Sequence, residues 1–301
     1  MAFARLRGWG ECPATRIYKK NRRIFPLRMG QGLEASFLGS SRLAQKMMKR
    51  PAGAGLCARH PRSEDTERRD ALRYFEPVHF SRRLLMIHDL DLIVFDLDGT
   101  LVDSVPDLAA AANHALRRLG LPEHSAEEHK RMVGAGEKNF VQRFLGPDHQ
   151  DLYHQALALY LEYYAQHLGD QTRLYPGVTE TLTRLASVKK AVLSNKREDL
   201  AQEVVKVMGL AGFFQAVRGG NSYGVLKPGA DGLRALIREL GSAPGRTFMV
   251  GDKPEDILAG RGAGAGTVAL TCGYADLEAL AAAKPDFLLD SFSQLTDLFG
   301  V

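Results

Sequence analysis

The chain has 301 residues, 45% of them hydrophobic, and a formal net charge of +5. That length can bury a substantial core and suggests roughly two domains. No run reaches the ~18 uninterrupted apolar residues that a membrane helix needs, so no membrane span is expected.

The charge is unevenly placed. Residues 1–85 hold 19 Lys/Arg and 7 Asp/Glu, a net of +12, which leaves the remainder at −7. This first segment shows no sustained period of 3.6 or 2, and Gly, Pro and Arg are scattered through it, as in Lys19-Lys20-Asn21-Arg22-Arg23 and Pro51-Ala52-Gly53-Ala54-Gly55. Such a stretch cannot bury enough apolar surface to offset the entropy of ordering it, and disorder is expected. Three readings compete: translation from an upstream start, an Arg-rich organellar targeting peptide, or a basic tail for nucleic acid or membrane. Met86, a few residues before the first strand, favours the first. Nucleic acid is expected only through this extension. Cys12, Cys57 and Cys272 match neither a zinc spacing nor a redox pair, which fits a reducing, cytoplasmic setting.

From Asp91 onward, short apolar runs alternate with helical stretches, the pattern of a parallel sheet wrapped by helices. The runs are Leu92–Phe95, Ala191–Leu193, Phe248–Val250, Thr267–Leu270 and Phe287–Leu289, with a weaker one near Ala216-Val217. Each reads as a strand buried on both faces. About 95 residues separate the first two, far more than a crossover helix requires, so they are predicted to form a domain of their own. It reads as helical. Pro106 lies in a first turn after Asp103-Ser104 and Gly120 closes that helix; Ser125-Ala126-Glu127-Glu128 is a capping box. Asp151 to Leu168 places Leu152, Ala156, Leu159 and Tyr163 at helical spacing beside Tyr153, Leu157, Tyr160 and Tyr164, a stripe better suited to packing than to a ligand. Gly262-Ala263-Gly264-Ala265-Gly266 precedes a strand and reads as a tight helix exit, not a dinucleotide loop.

Polar residues recur just after the strands: Asp96-Leu97-Asp98-Gly99-Thr100, Ser194-Asn195-Lys196, and Gly251-Asp252-Lys253-Pro254-Glu255-Asp256. The carboxyl ends of parallel strands share one edge, and ligands bind in the crevice outside it. Asp96, Asp98, Asp252 and Asp256 cannot all be ionised together without a cation, and oxygen ligands suit Mg²⁺. Lys227 adds a positive charge if its loop reaches this edge. Ser194, Asn195 and the Gly99 turn offer donors for phosphate oxygens.

These segments in this order, with Lys227-Pro228 between them, resemble the haloacid dehalogenase superfamily from about residue 90 to the C-terminus. The resemblance implies a Rossmann-like α/β core over 86–102 and 176–301, with an inserted all-helical cap over 103–175. It implies Asp96 as a nucleophile that forms an aspartyl-phosphate and also binds Mg²⁺. Asp98 would serve as general acid and then base, its carbonyl reaching the metal, with Asp252 a further ligand and Asp256 holding metal-bound water. Gly99, Ser194, Asn195 and Lys227 would bind the phosphoryl group. An Asp at position 98 implies phosphate chemistry, because the dehalogenase and phosphonatase branches carry another residue there.

Phe95 to Ala112, Ser194-Asn195-Lys196 and Thr271-Cys272-Gly273-Tyr274 more narrowly resemble phosphoglycolate phosphatases. That implies a small phosphate ester as substrate, 2-phosphoglycolate first, with a related pyrophosphatase, nucleotidase or sugar-phosphate mutase as the alternative, in a monomer or homodimer. Cap residues Gly136, Lys138 and Arg143, near the Val133–Gly136 hinge, are candidates to touch substrate. Lys253 departs from the group, which commonly has Ser or Thr there.

Overall fold

The computed structural model describes Ile87 and residues 89–300. The extension over 1–85, with Cys12 and Cys57, lies outside them.

In chain order the elements are β1 (Leu92–Phe95), β2 (Val102–Asp103), α1 (Val105–Arg118), α2 (Ala126–Met132), α3 (Gly136–Leu145), α4 (Tyr153–His167), β3 (Arg173–Leu174), α5 (Val178–Arg184), β4 (Lys189–Leu193), α6 (Glu198–Val207), β5 (Ala216–Arg218), α7 (Asp231–Glu239), β6 (Thr247–Gly251), α8 (Pro254–Ala263), β7 (Gly266–Leu270), α9 (Leu277–Ala282), β8 (Phe287–Leu289) and α10 (Gln294–Phe299). A six-stranded sheet runs in the order β5-β4-β1-β6-β7-β8, and every pair in it is parallel.

Alternation along each strand splits the core between two faces. Ile93 and Phe95 pack with Val192, Phe248, Val250 and Phe292 on one side; Leu92 and Val94 join Ala191, Leu233, Leu236 and Met249 on the other. All of these but Phe292 come from strands or α7, and none is more than 1% exposed. Burial of each large side chain contributes roughly 1.5–3 kcal/mol. The expectation of strands buried on both faces holds for β1, β6 and β7, whereas β8 at the sheet edge is half-buried because no strand among the described residues pairs beyond it.

The chain leaves the sheet after β1 and returns before β4 through β2 and β3, which pair antiparallel with Val102 opposite Leu174. Asp107, buried at the start of α1, accepts bonds from the Gln171 and Thr172 amides and the Thr172 hydroxyl, and so ties the exit to the return. Between them α1 to α4 form a helical layer. The capping box at α2 is present: Ser125 Oγ accepts from the Glu128 amide at 3.2 Å and Glu128 Oε2 accepts from the Ser125 amide at 2.7 Å. The last long helix begins at Tyr153, later than expected, because Pro147–Leu152 winds as a tighter turn. Its buried stripe is Ala156, Tyr160 and Tyr164. Phe140, Phe144 and Tyr160 close the layer with ring centroids 5.5–6.2 Å apart. Gly264, left-handed at φ +79°, terminates α8 as the sequence predicts.

Candidate active site

β1 lies between β4 and β6, so the connections leave it in opposite directions and a crevice opens at its carboxyl end. The register places the chemistry there. Phe95 is level with Val192 and Val250, so Asp96, Ser194 and Asp252 emerge along one edge.

Asp96, Asp252 and Asp256 are at most 7% exposed, and one oxygen from each lies within 4.8 Å of the others. Lys227 Nζ reaches Asp96 Oδ1 at 2.8 Å and Asp256 Oδ1 at 2.7 Å, and donates to the Leu193 carbonyl at 2.7 Å. Burial alone would draw the Lys227 ammonium down, but Asp256 and Asp96 outweigh it and hold its pKa above the usual lysine range. Asp252 is pushed up to about 7 by burial and by Asp96, against bonds from the Tyr274 amide at 2.7 Å and Thr100 Oγ1 at 3.0 Å. Burial likewise raises Asp256, with Lys227 opposing it. Three buried carboxylates against one lysine leave negative charge uncompensated, so this all-oxygen donor set fits a hard divalent cation.

Gly99 and Gly273 allow the loops to close around that cluster. At φ +91°, a Cβ on Gly99 would fall 2.3 Å from Asp252 Oδ2, and one on Gly273 would fall 2.2 Å from Asp252 Cβ.

Asp98 stands apart from the three carboxylates. Its Oδ1 accepts from Ser104 Oγ at 2.5 Å and from Lys196 Nζ at 2.7 Å. Lys196 also donates to Tyr164 Oη at 2.7 Å, which links the sheet edge to α4. Asp96, Asp98, Ser194, Asn195 and Lys196 line a cavity closed from the helical layer by Val133, Gly134, Gly136, Glu137, Phe140 and Tyr160. Tyr160 and Tyr164 therefore do more than the packing expected of their stripe.

Three placements differ from the sequence reading, the first being the Gly99 amide, which donates to the Val102 carbonyl at 2.8 Å and not towards a phosphate. Asn195 lines the cavity, but its Nδ2 donates to the Gly134 and Lys227 carbonyls, both at 2.9 Å, so neither amide hydrogen is left for a phosphate. Any contact it makes comes from its backbone N–H. Of the cap candidates only Gly136 lines the cavity; Lys138 is exposed, and exposed Arg143 donates to the Met132 carbonyl.

Lys253 spans the two layers. Its Nζ donates to the Val133 carbonyl in the loop between α2 and α3 and lies 5.5 Å from the Tyr274 ring centroid. The Tyr274 hydroxyl accepts from the Ser104 amide at 2.9 Å. Sequence reading named Lys196 and Thr100 without a role, gave Ser104 only to a helix start and Tyr164 only to packing, and did not name Glu137. Only the hydroxyls just after Asp98 carried a local signal.

The family profile described as haloacid dehalogenase-like hydrolase matches residues 93–270. The chain belongs to this family. It is 37% identical over 222 residues to a phosphoglycolate phosphatase of Vibrio parahaemolyticus, covering 71% of this chain and 97% of that one. A phosphoglycolate phosphatase of Neisseria meningitidis is 38% identical over 219 residues, covering 69% and 93%. Among solved structures, a predicted phosphoglycolate phosphatase from Haemophilus somnus superposes with a TM-score of 0.66 at 32% identity, covering 70% of this chain and 98% of its own.

Proposed function

We propose that this member of the haloacid dehalogenase-like hydrolases is a Mg²⁺-dependent phosphatase that converts 2-phosphoglycolate to glycolate and phosphate through a phosphorylated Asp96. The observation that carries the reading is the division between two carboxylates on one loop. Asp96 sits in the acidic cluster with Lys227, while Asp98 is held by Ser104 and Lys196. Two carboxyl groups in different surroundings suit two roles.

In the first half-reaction an Asp96 oxygen attacks phosphorus, the bond to the ester oxygen breaks, and Asp98 passes its proton to the departing alkoxide. In the second, Asp98 takes a proton from water as the water oxygen attacks phosphorus, which releases phosphate and restores Asp96. Ser104 and Lys196 both bond Oδ1 of Asp98, which leaves Oδ2 for proton exchange. Lys227 orients Asp96 and offsets phosphoryl charge, with the Ser194 hydroxyl and the Asn195 backbone N–H as further donors, since the Gly99 and Ser194 amides are taken by the Val102 and Arg218 carbonyls. Asp96, Asp252 and Asp256, with the Asp98 carbonyl, would hold the Mg²⁺, which when bound supplies positive charge against the phosphoryl oxygens.

The core is assigned to 86–102 and 176–301 and the cap to 103–175. The cap's Glu137, Phe140 and Tyr160 wall the cavity and restrict the leaving group to a small alcohol. Among the described residues no helix is long and apolar enough to cross a membrane. Cytoplasmic action is part of the proposal, on the ground that Cys12, Cys57 and Cys272 match neither a zinc spacing nor a redox pair.

The names of the relatives support 2-phosphoglycolate as the substrate. A panel of phosphorylated metabolites, assayed for free phosphate with and without Mg²⁺, tests this. 2-Phosphoglycolate should give the highest kcat/KM; preference for pyrophosphate, nucleotides or hexose phosphates would reject the substrate assignment.

A further inference from the structure

Lys196 is a buried lysine, 6% exposed, in the wall of the cavity. Its ammonium lies 2.7 Å from Asp98 Oδ1, 2.7 Å from Tyr164 Oη, and 4.9 Å from the centroid of the Tyr164 ring. An ammonium has three hydrogens, and these two bonds occupy two. Two other cations lie near the sheet edge: Lys227, which is ion-paired with Asp96 and Asp256 and donates to the Leu193 carbonyl, and Lys253, which donates to the Val133 carbonyl; neither lines the cavity. Lys138 and Arg143 are exposed and absent from the cavity wall. Among the described residues, Lys196 is the lysine that lines this cavity with a hydrogen left to give.

We infer that Lys196 is the specificity-determining residue for the leaving alcohol, and that it binds a carboxylate attached directly to the ester carbon. The inference rests on Asp98 being the proton donor in the proposed reaction. A donor must come within ~2.6–3.2 Å of the oxygen it protonates. In a phosphate ester of a 2-hydroxy acid, the carboxylate carbon is two bonds from that oxygen, about 2.4 Å away by ordinary bond lengths. An ammonium 2.7 Å from Asp98 is therefore within reach of that carboxylate as soon as Asp98 reaches the ester oxygen. Glu137 faces the same cavity, its Oε1 accepting from the Arg197 amide at 2.7 Å. Its carboxyl group repels a second carboxylate when ionised, so the substrate's charge needs a cation of its own here. Tyr164, from the helical layer, aims that cation. The class of substrate is thus the phosphomonoester of a short 2-hydroxycarboxylate.

The test compares 2-phosphoglycolate with ethyl phosphate, which has a similar carbon skeleton but no carboxylate, on the full-length chain with Mg²⁺. Lys196→Met also removes a partner from Asp98 and lowers turnover of both; that common loss cancels in the ratio of their kcat/KM values. The ratio should fall roughly 10–100-fold, as expected for one lost charge-assisted contact. Lys196→Arg should restore part of it. Tyr164→Phe, which keeps the ring and removes only the hydroxyl, should raise KM for 2-phosphoglycolate more than for ethyl phosphate, and serves if Lys196→Met does not fold. Equal losses on both substrates, with the wild-type preference intact, overturn the inference and leave Lys196 as a holder of Asp98. A wild type indifferent to the carboxylate overturns the inference and the 2-phosphoglycolate reading together.

Discussion

Asn195 and Lys227 hold each other by a reciprocal pair of hydrogen bonds: Asn195 Nδ2 donates to the Lys227 carbonyl at 2.9 Å, and the Lys227 amide donates to Asn195 Oδ1 at 2.8 Å. The side-chain amide thereby mimics a strand partner for a loop that has none, and fixes the backbone from which the Lys227 ammonium reaches Asp96. Asn195→Ala should cost about 1–3 kcal/mol in urea unfolding, because it leaves buried main-chain groups unpaired. Lys227→Met should lower kcat about 10²–10³-fold while the chain still folds with Mg²⁺ present. Wild-type kcat in Lys227→Met would remove the lysine from the mechanism.

The acidic cluster couples metal binding to protons. Asp252 is pushed up to about 7 and Asp256 is also raised, so below that pH a cation must displace protons to bind. Mg²⁺ affinity should fall as pH drops from 8 to 6, by up to ~10-fold per unit for each proton displaced. The folded, metal-free protein holds protons that the unfolded chain releases between about pH 4 and 7, so its stability should decline as pH rises through that window. Thermal melts in EDTA should show this, and Mg²⁺ should oppose it most at pH 8. A Mg²⁺ affinity that does not vary with pH would contradict the account.

His129 produces the opposite trend in the helical layer. It is fully buried, its Nε2 donates to Asn113 Oδ1 at 2.9 Å, and among the described residues Nδ1 has no hydrogen-bond partner. Burial, with His124 adding repulsion, draws its pKa down to about 4. Unfolding lets it take up a proton, so its contribution to stability is intact above about pH 6.5 and is lost as pH falls towards 4. Between pH 7 and pH 4.5 the loss should reach about 2–3 kcal/mol, and His129→Gln should flatten the slope of urea midpoint against pH. An unchanged slope would place the acid sensitivity elsewhere.

Much of the site was legible because parallel strands share one edge: Asp96, Ser194 and Asp252 each follow an apolar run, and the structure brings them together. The capping box at Ser125 and the exit at Gly264 were legible because their signals are local. The cap contacts were not, because they depend on helix phase. In α3, Glu137, Phe140 and Phe144 at i, i+3 and i+7 turn inward, and each further residue rotates about 100°. Lys138 and Arg143 consequently point to solvent despite their closeness to the hinge. Asn195 offered the right chemistry for phosphate, but its hydrogens are taken by Gly134 and Lys227. The Lys196–Tyr164 bond joins two segments whose meeting is decided only when α4 packs on the sheet edge.

A chain beginning at Met86 should fold and retain kcat. Every residue assigned to the site lies between Asp96 and Tyr274, and about 70% of this chain covers 93–97% of the two relatives described above. Circular dichroism and a phosphate-release assay of the shortened chain check this; an insoluble or inactive product would give residues 1–85 a part in the enzyme. RNA binding that is present in the full chain and lost on truncation would support the basic-tail reading.

The covalent role of Asp96 is tested most directly by acid-quenching a reaction with 2-phosphoglycolate labelled at phosphorus, within one turnover, and locating protein-bound phosphate by borohydride trapping and mass spectrometry. The account predicts an acyl phosphate on Asp96, and none in Asp96→Asn, which should not turn over. Label on another residue, or full turnover by Asp96→Asn, would contradict it.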